Sequence, residues 1–94
     1  MVTELRVFTH PACAGCGTAV ALAWELAESR PDRLSLRTVS LEREAGLNEA
    51  HASDVRTIPT IVIAVDGQER QRIVGTPKAQ ELREAVERIL DAGA

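Results

Sequence analysis

The sequence has no tyrosine, one phenylalanine and one tryptophan. Aromatic side chains therefore cannot build its core. That task falls to Val, Leu, Ile and Ala, in a chain whose apolar fraction is 45%. No apolar stretch is long enough to span a bilayer, and the opening MVTELRV has no basic segment leading into an apolar run. Basic residues are the minority, 11 Lys and Arg against 14 Asp and Glu, for a net charge of −3. This argues against non-specific nucleic-acid binding, which requires a basic face. The charges are spread along the chain and form no tail. Internal repeats, low-complexity segments and linkers are also absent. The 94 residues are read as one domain, residues 1–94, in a soluble cytoplasmic monomer.

Cysteine is scarce too, and its placement is informative. The chain has two, Cys13 and Cys16, both in THPACAGCGTAV at residues 9–20. A structural disulfide is not expected in the cytoplasm, and a Cys-x-x-Cys bridge closes too small a loop to restrain the unfolded chain much. Two buried thiols acting as small hydrophobes are the plain alternative.

The surrounding pattern places the pair. Leu5, Val7 and Phe8 mark a strand over residues 4–9, broken by His10-Pro11-Ala12. From Ala14 to Ser29 the spacing turns helical, with Cys16, Ala19, Val20, Ala23 and Ala27 on one face, widened by Leu22 and Leu26. Arg30-Pro31-Asp32 ends it. Leu34, Leu36, Val39 and Leu41 mark a second strand, at the spacing of a parallel crossover. A short helix is expected within 42–54. TIVIAV at 60–65 is a continuous β-branched run, hence a buried strand. Asp66-Gly67 signals a hairpin to a shorter strand, QRIV. In the last helix, Leu82, Ala85, Val86, Ile89 and Leu90 form the apolar face, with Thr76 as the N-cap and Pro77 at the first helical position. The order is β-α-β-α-β-β-α, and the fold class is α/β: a mixed four-stranded sheet flanked by helices.

Cys13 then lies where a strand ends and a helix begins. Unpaired N–H groups and the positive end of the helix dipole stabilise a thiolate there, in the range of about 3.5–7.5 against about 8.5 for a free cysteine. Cys16, a turn further in, should be more buried and harder to ionise. That asymmetry suits attack by Cys13 on a disulfide and resolution by Cys16. A second signal is TIPT, Thr57 to Thr60. Alone, Pro59 reads as a proline opening a strand. Beside Cys-x-x-Cys, the better hypothesis is a cis Ile58–Pro59 bond that turns the Ile58 backbone towards Cys13, so that an extended substrate can pair with it.

These residues resemble the thioredoxin/glutaredoxin superfamily, over nearly the whole chain. RVFTHPACAGC is similar to the first strand and active site of a glutaredoxin. VRTIPTIVIAVDGQERQRIVGTPKAQELREAVERIL is similar to the second half of a thioredoxin, with its cis-proline loop, hairpin, glycine before the last helix (Gly75) and the helix itself. The resemblance implies a thioredoxin fold and a disulfide reductase. Its catalytic residues would be Cys13 and Cys16, and its substrate groove would include Thr57, Ile58, Pro59, Gly75 and His10. It implies no organic cofactor, disulfide-containing protein substrates, and a flavin reductase or glutathione as electron donor.

The chain also departs from the family. Ala14-Gly15 replaces the usual Gly-Pro or Pro-Tyr, and no tryptophan precedes Cys13. Val7 and Thr38 stand where thioredoxins carry a buried acid and a lysine. His10 matches the basic residue of a glutathione site, but GTPK at 75–78 does not match its Gly-Gly…Asp stretch. Two readings of His10 stay open, a partner of the Cys13 thiolate or a loop histidine. Arg56 is read as a solvated charge, His51 as surface, and Trp24 as packed against the sheet or a partner. The rival function is a soft-metal module in which both thiolates hold Cu(I), or an iron–sulfur cluster held through Cys13.

Overall fold

The seven-residue strand β1, Thr3–Thr9, owes its place to alternation. Leu5 and Val7 point to one face of the sheet and Phe8 to the other, and all three are fully buried. A strand that is apolar on both faces belongs in the middle of a sheet. In the computed structural model, which describes residues 2–92, β1 lies between β2 (Leu34–Ser40) and β3 (Thr60–Val65). The sheet order is β2-β1-β3-β4, with β4 spanning Gln68–Val74. β1 pairs with β2 in parallel and with β3 antiparallel, and β3 pairs antiparallel with β4. Asp66 and Gly67, both at positive φ, make the tight turn between β3 and β4. β4 is longer than the sequence suggests. Its first residues are polar and exposed, as an edge strand permits.

Three helices cover the two faces. α1 (Cys16–Ser29) and α3 (Ala79–Asp91) pack on the face carrying Leu5, Val7, Ile61 and Ile63. The small Ala19 and Ala23 let α1 lie close to the sheet, and Leu82, Val86 and Leu90 are the α3 contribution. α2 (Glu44–Ala52) covers a smaller core on the other face, where Ala50 meets Phe8, Val39, Val55 and Val62. Removing the Phe8 ring there should cost about 3–5 kcal/mol. The element order and mixed sheet are those expected from the sequence, and the fold is the thioredoxin fold. No helix among the described residues is long and apolar enough to cross a membrane.

One expectation is corrected. α3 begins at Ala79 with Lys78 at the N-cap position, not at Thr76. The Glu81 carboxylate accepts the Lys78 N–H there, so the acceptor comes from inside the helix, and Pro77 is buried just ahead of it. Trp24, 56% exposed, belongs to neither core cluster and lines a surface groove with Ala27, Pro31, Leu34 and Leu36.

Candidate functional site

The site begins with a turn. β1 ends at Thr9, and the chain reverses through His10-Pro11-Ala12 before α1 starts at Cys16. Cys13 donates its N–H to the His10 carbonyl at 3.0 Å. Ala12 donates its N–H to His10 Nδ1, also at 3.0 Å. One histidine thus holds the turn through both its backbone and its ring.

Cys13 and Cys16 are joined in a disulfide, with Cα atoms 5.4 Å apart. Their burial differs as expected. Cys13 is half-buried at the mouth of the turn, while Cys16, the first residue of α1, is 4% exposed. Gly15 stands at the N-cap position without a capping side chain, and the first turn of α1 carries no acid. The positive end of the helix therefore faces the sulfurs without a local counter-charge. The two sulfurs are the soft donors of the site, and here they are bonded to each other.

Two further segments close on this loop. The Ile58–Pro59 peptide is cis. Pro59 is buried, Ile58 leans on the smaller core beneath α2, and Thr57 is exposed. Thr60 Oγ1 donates to the Thr57 carbonyl at 2.5 Å, spanning the cis bond. Upstream, Arg72 of β4 donates to the Ser53 and Asp54 carbonyls at 2.7 and 3.2 Å, fixing the point where α2 ends and this loop begins. Downstream of β4, Gly75 at φ +89° donates its N–H to the Pro59 carbonyl at 2.8 Å. Thr76 Oγ1 donates to the Gly15 carbonyl at 3.2 Å. The Cys-x-x-Cys loop, the cis-proline loop and the Gly75-Thr76 turn therefore form one connected surface.

Sequence reasoning placed Thr76 at a helix start and so missed it here. Its position directly after Gly75 was the available signal. Of the other residues weighed, Arg56 pairs with Asp54 at 2.9 Å in full solvent exposure, and His51 is exposed on the last turn of α2. Val7 is fully buried beside Thr38 in the β1–β2 register. Neither side chain titrates, so neither takes a proton from Cys16.

A half-exposed cysteine at a helix N-terminus, bonded to a buried one a turn away and flanked by a cis-proline loop, marks a dithiol protein of the thiol–disulfide oxidoreductase type. Comparison with known families agrees: residues 4–88 match thioredoxin, and the chain belongs to the thioredoxin family. Solved structures share the fold. A malarial protein superposes with a TM-score of 0.81 at 18% identity, over 94% of this chain and 97% of its own. Thioredoxin-2, a component of malaria parasite protein secretion machinery, gives 0.81 at 18% identity, over 93% and 82%. Oxidised thioredoxin O2 from Arabidopsis thaliana gives 0.78 at 22% identity, over 93% and 74%. No curated protein sequence matches the chain.

Proposed function

We propose that this protein is a single-domain, soluble cytoplasmic disulfide reductase that works as a monomer on disulfide-containing proteins. The observation that carries this reading is the unequal burial of two bonded cysteines at the start of α1. In the reduced protein, the Cys13 thiolate attacks one sulfur of a substrate disulfide. A Cys13–substrate disulfide forms, and the first substrate thiolate leaves and takes a proton. Cys16 gives up its proton and attacks Cys13 Sγ. The second substrate thiolate leaves, and Cys13–Cys16 is oxidised. Two electrons and two protons pass to the substrate. With Val7 and Thr38 in place of an acid and a lysine, the Cys16 proton goes to water or to the departing thiolate.

The substrate runs extended across the surface made by His10, Thr57, Ile58, Pro59 and Gly75, with its backbone paired to that of Ile58. A flavin reductase or glutathione returns the pair to the dithiol. The test is a titration against thiol redox buffers with metal excluded, read by mass after alkylation. One two-electron transition at roughly −180 to −280 mV is expected. Thiols that never form an intramolecular disulfide, yet take up Cu(I) or an iron–sulfur cluster, would replace this reading with the metal-binding one.

A further inference from the structure

Gly15 sits between the two cysteines, and its carbonyl has two donors. One is the Ala19 N–H at 3.2 Å, the first hydrogen bond of α1. The other is the Thr76 hydroxyl at 3.2 Å, reaching from sixty-one residues away. The same hydroxyl fills the space beside Gly15: a Cβ on residue 15 would lie 2.6 Å from Thr76 Oγ1 and 3.8 Å from Pro59 Cδ. Real Cβ atoms do not approach that closely, so Thr76 would have to swing aside and lose its hydrogen bond. Glycine at 15 and threonine at 76 fit each other, and a substitution at either breaks the same contact.

We propose that Thr76 is a positioning residue that holds the Cys13–Cys16 loop in its ring-closing geometry. The proposal rests on the disulfide-reductase reading above and deepens it. In the oxidised protein the S–S bond itself holds the sulfurs together. In the dithiol the path of residues 13–16 does so; His10 holds the start of that path, and the hydrogen bond to the Gly15 carbonyl ties its middle to the rest of the fold. Thr76 is itself anchored, because the preceding residue donates to Pro59 at 2.8 Å. The brace therefore runs from the cis-proline loop through Gly75 and Thr76 to the middle of Cys-x-x-Cys. Holding two reacting groups at bonding distance raises their effective concentration. Here it favours the intramolecular disulfide over the open dithiol, and it speeds attack of Cys16 on a mixed disulfide.

The sign follows. Without the brace the dithiol gains freedom that closure must remove, so the disulfide becomes easier to reduce. The experiment equilibrates wild-type protein and variants with glutathione: protein dithiol plus glutathione disulfide gives protein disulfide plus two glutathione thiols. Thr76→Val should lower that equilibrium constant by about three- to tenfold, the size of one lost hydrogen bond. A tenfold change is a rise of about 30 mV in potential for a two-electron couple. Thr76→Ser keeps the hydroxyl and should restore the wild-type constant. Gly15→Ala should lower it as Thr76→Val does, and the double variant should fall no further than either single one, because the same contact is lost once.

A Thr76→Val constant equal to wild type overturns the brace while leaving the reductase reading intact. Singles whose effects multiply in the double variant also overturn it, since the two sites then act independently. A wild-type protein that forms no disulfide with glutathione overturns both. Circular dichroism on each variant identifies any that fails to fold, and the Thr76→Ser and Thr76→Val pair, which keeps and removes the hydroxyl respectively, then carries the comparison.

Discussion

The Gly75 N–H donates to the Pro59 carbonyl at 2.8 Å, tying the exit of the hairpin to the cis-proline loop. The bond depends on a backbone at φ +89°, where a side chain is strained even though open space surrounds the position. Gly75→Ala should therefore destabilise the fold by about 1–2 kcal/mol. Urea unfolding measures this. Substrate reduction should fall by more than the stability loss explains, because both loops lose their register.

His10 allows two roles to be separated. Its Nδ1 accepts the Ala12 N–H, and an asparagine oxygen can stand in that place. If the ring acts as an acceptor that shapes the turn, His10→Asn should keep substrate reduction within about twofold of wild type, while His10→Ala should lose about three- to tenfold, one hydrogen bond's worth. If the ring instead carries a proton for Cys13, both variants fail alike. The rate of substrate reduction near neutral pH distinguishes the two outcomes.

Two glycines should respond in opposite directions. A Cβ on Gly46 collides with the Ser40 carbonyl oxygen, so α2 rests on the end of β2 only because residue 46 has no side chain. Gly46→Ala should cost about 2–3 kcal/mol, as overpacking does. Gly17, in the first turn of α1, has nothing within 4 Å of such a Cβ. Gly17→Ala should raise stability by about 0.5–1 kcal/mol, since it removes glycine's extra backbone freedom from a helix. Denaturant midpoints at constant slope report both.

The acid limb of stability should come from the ion pairs on the α2 side. Hydrogen bonds from Arg37 hold the Glu49 carboxyl below its ordinary value, and those from Arg72 do the same for Glu69. For Glu4, burial opposes ionisation, but Arg6 and Arg37 outweigh it, and its carboxyl is also lowered. A carboxyl lowered by folding stabilises the native state above its unfolded value and loses that contribution as pH falls through the folded one. Stability should therefore hold from neutral pH down to about 5, then decline below the usual glutamate value of about 4.3. Glu49→Gln with Glu69→Gln should make that decline shallower, at a cost near neutrality of about 0.2–1 kcal/mol for each exposed pair. Thermal unfolding across pH 2–8 would show a decline no shallower than wild type if these pairs were idle.

Much of the fold was legible because local pattern and tertiary placement agree. The run TIVIAV is buried at every position, and the spacing of Ala19 and Ala23 turns toward the sheet. Cys13 and Cys16 were legible for the same reason, since strand end and helix start bracket them within a few residues. The misreadings occur where a side chain is used at long range. Thr76 looks like a cap because threonine before proline and a helical pattern usually is one. Its hydroxyl is instead drawn to Gly15, and Glu81 caps the helix from within.

Trapping the mixed disulfide tests the central claim most directly, that Cys13 attacks and Cys16 resolves. Reduced wild type, Cys13→Ser and Cys16→Ser proteins would be mixed with a disulfide-bonded test protein, quenched in acid and weighed by mass spectrometry. The expected result is a stable covalent adduct through Cys13 with Cys16→Ser, none with Cys13→Ser, and full reduction of the substrate by wild type. An adduct through Cys16, or substrate reduction by the Cys13→Ser protein, would contradict the account.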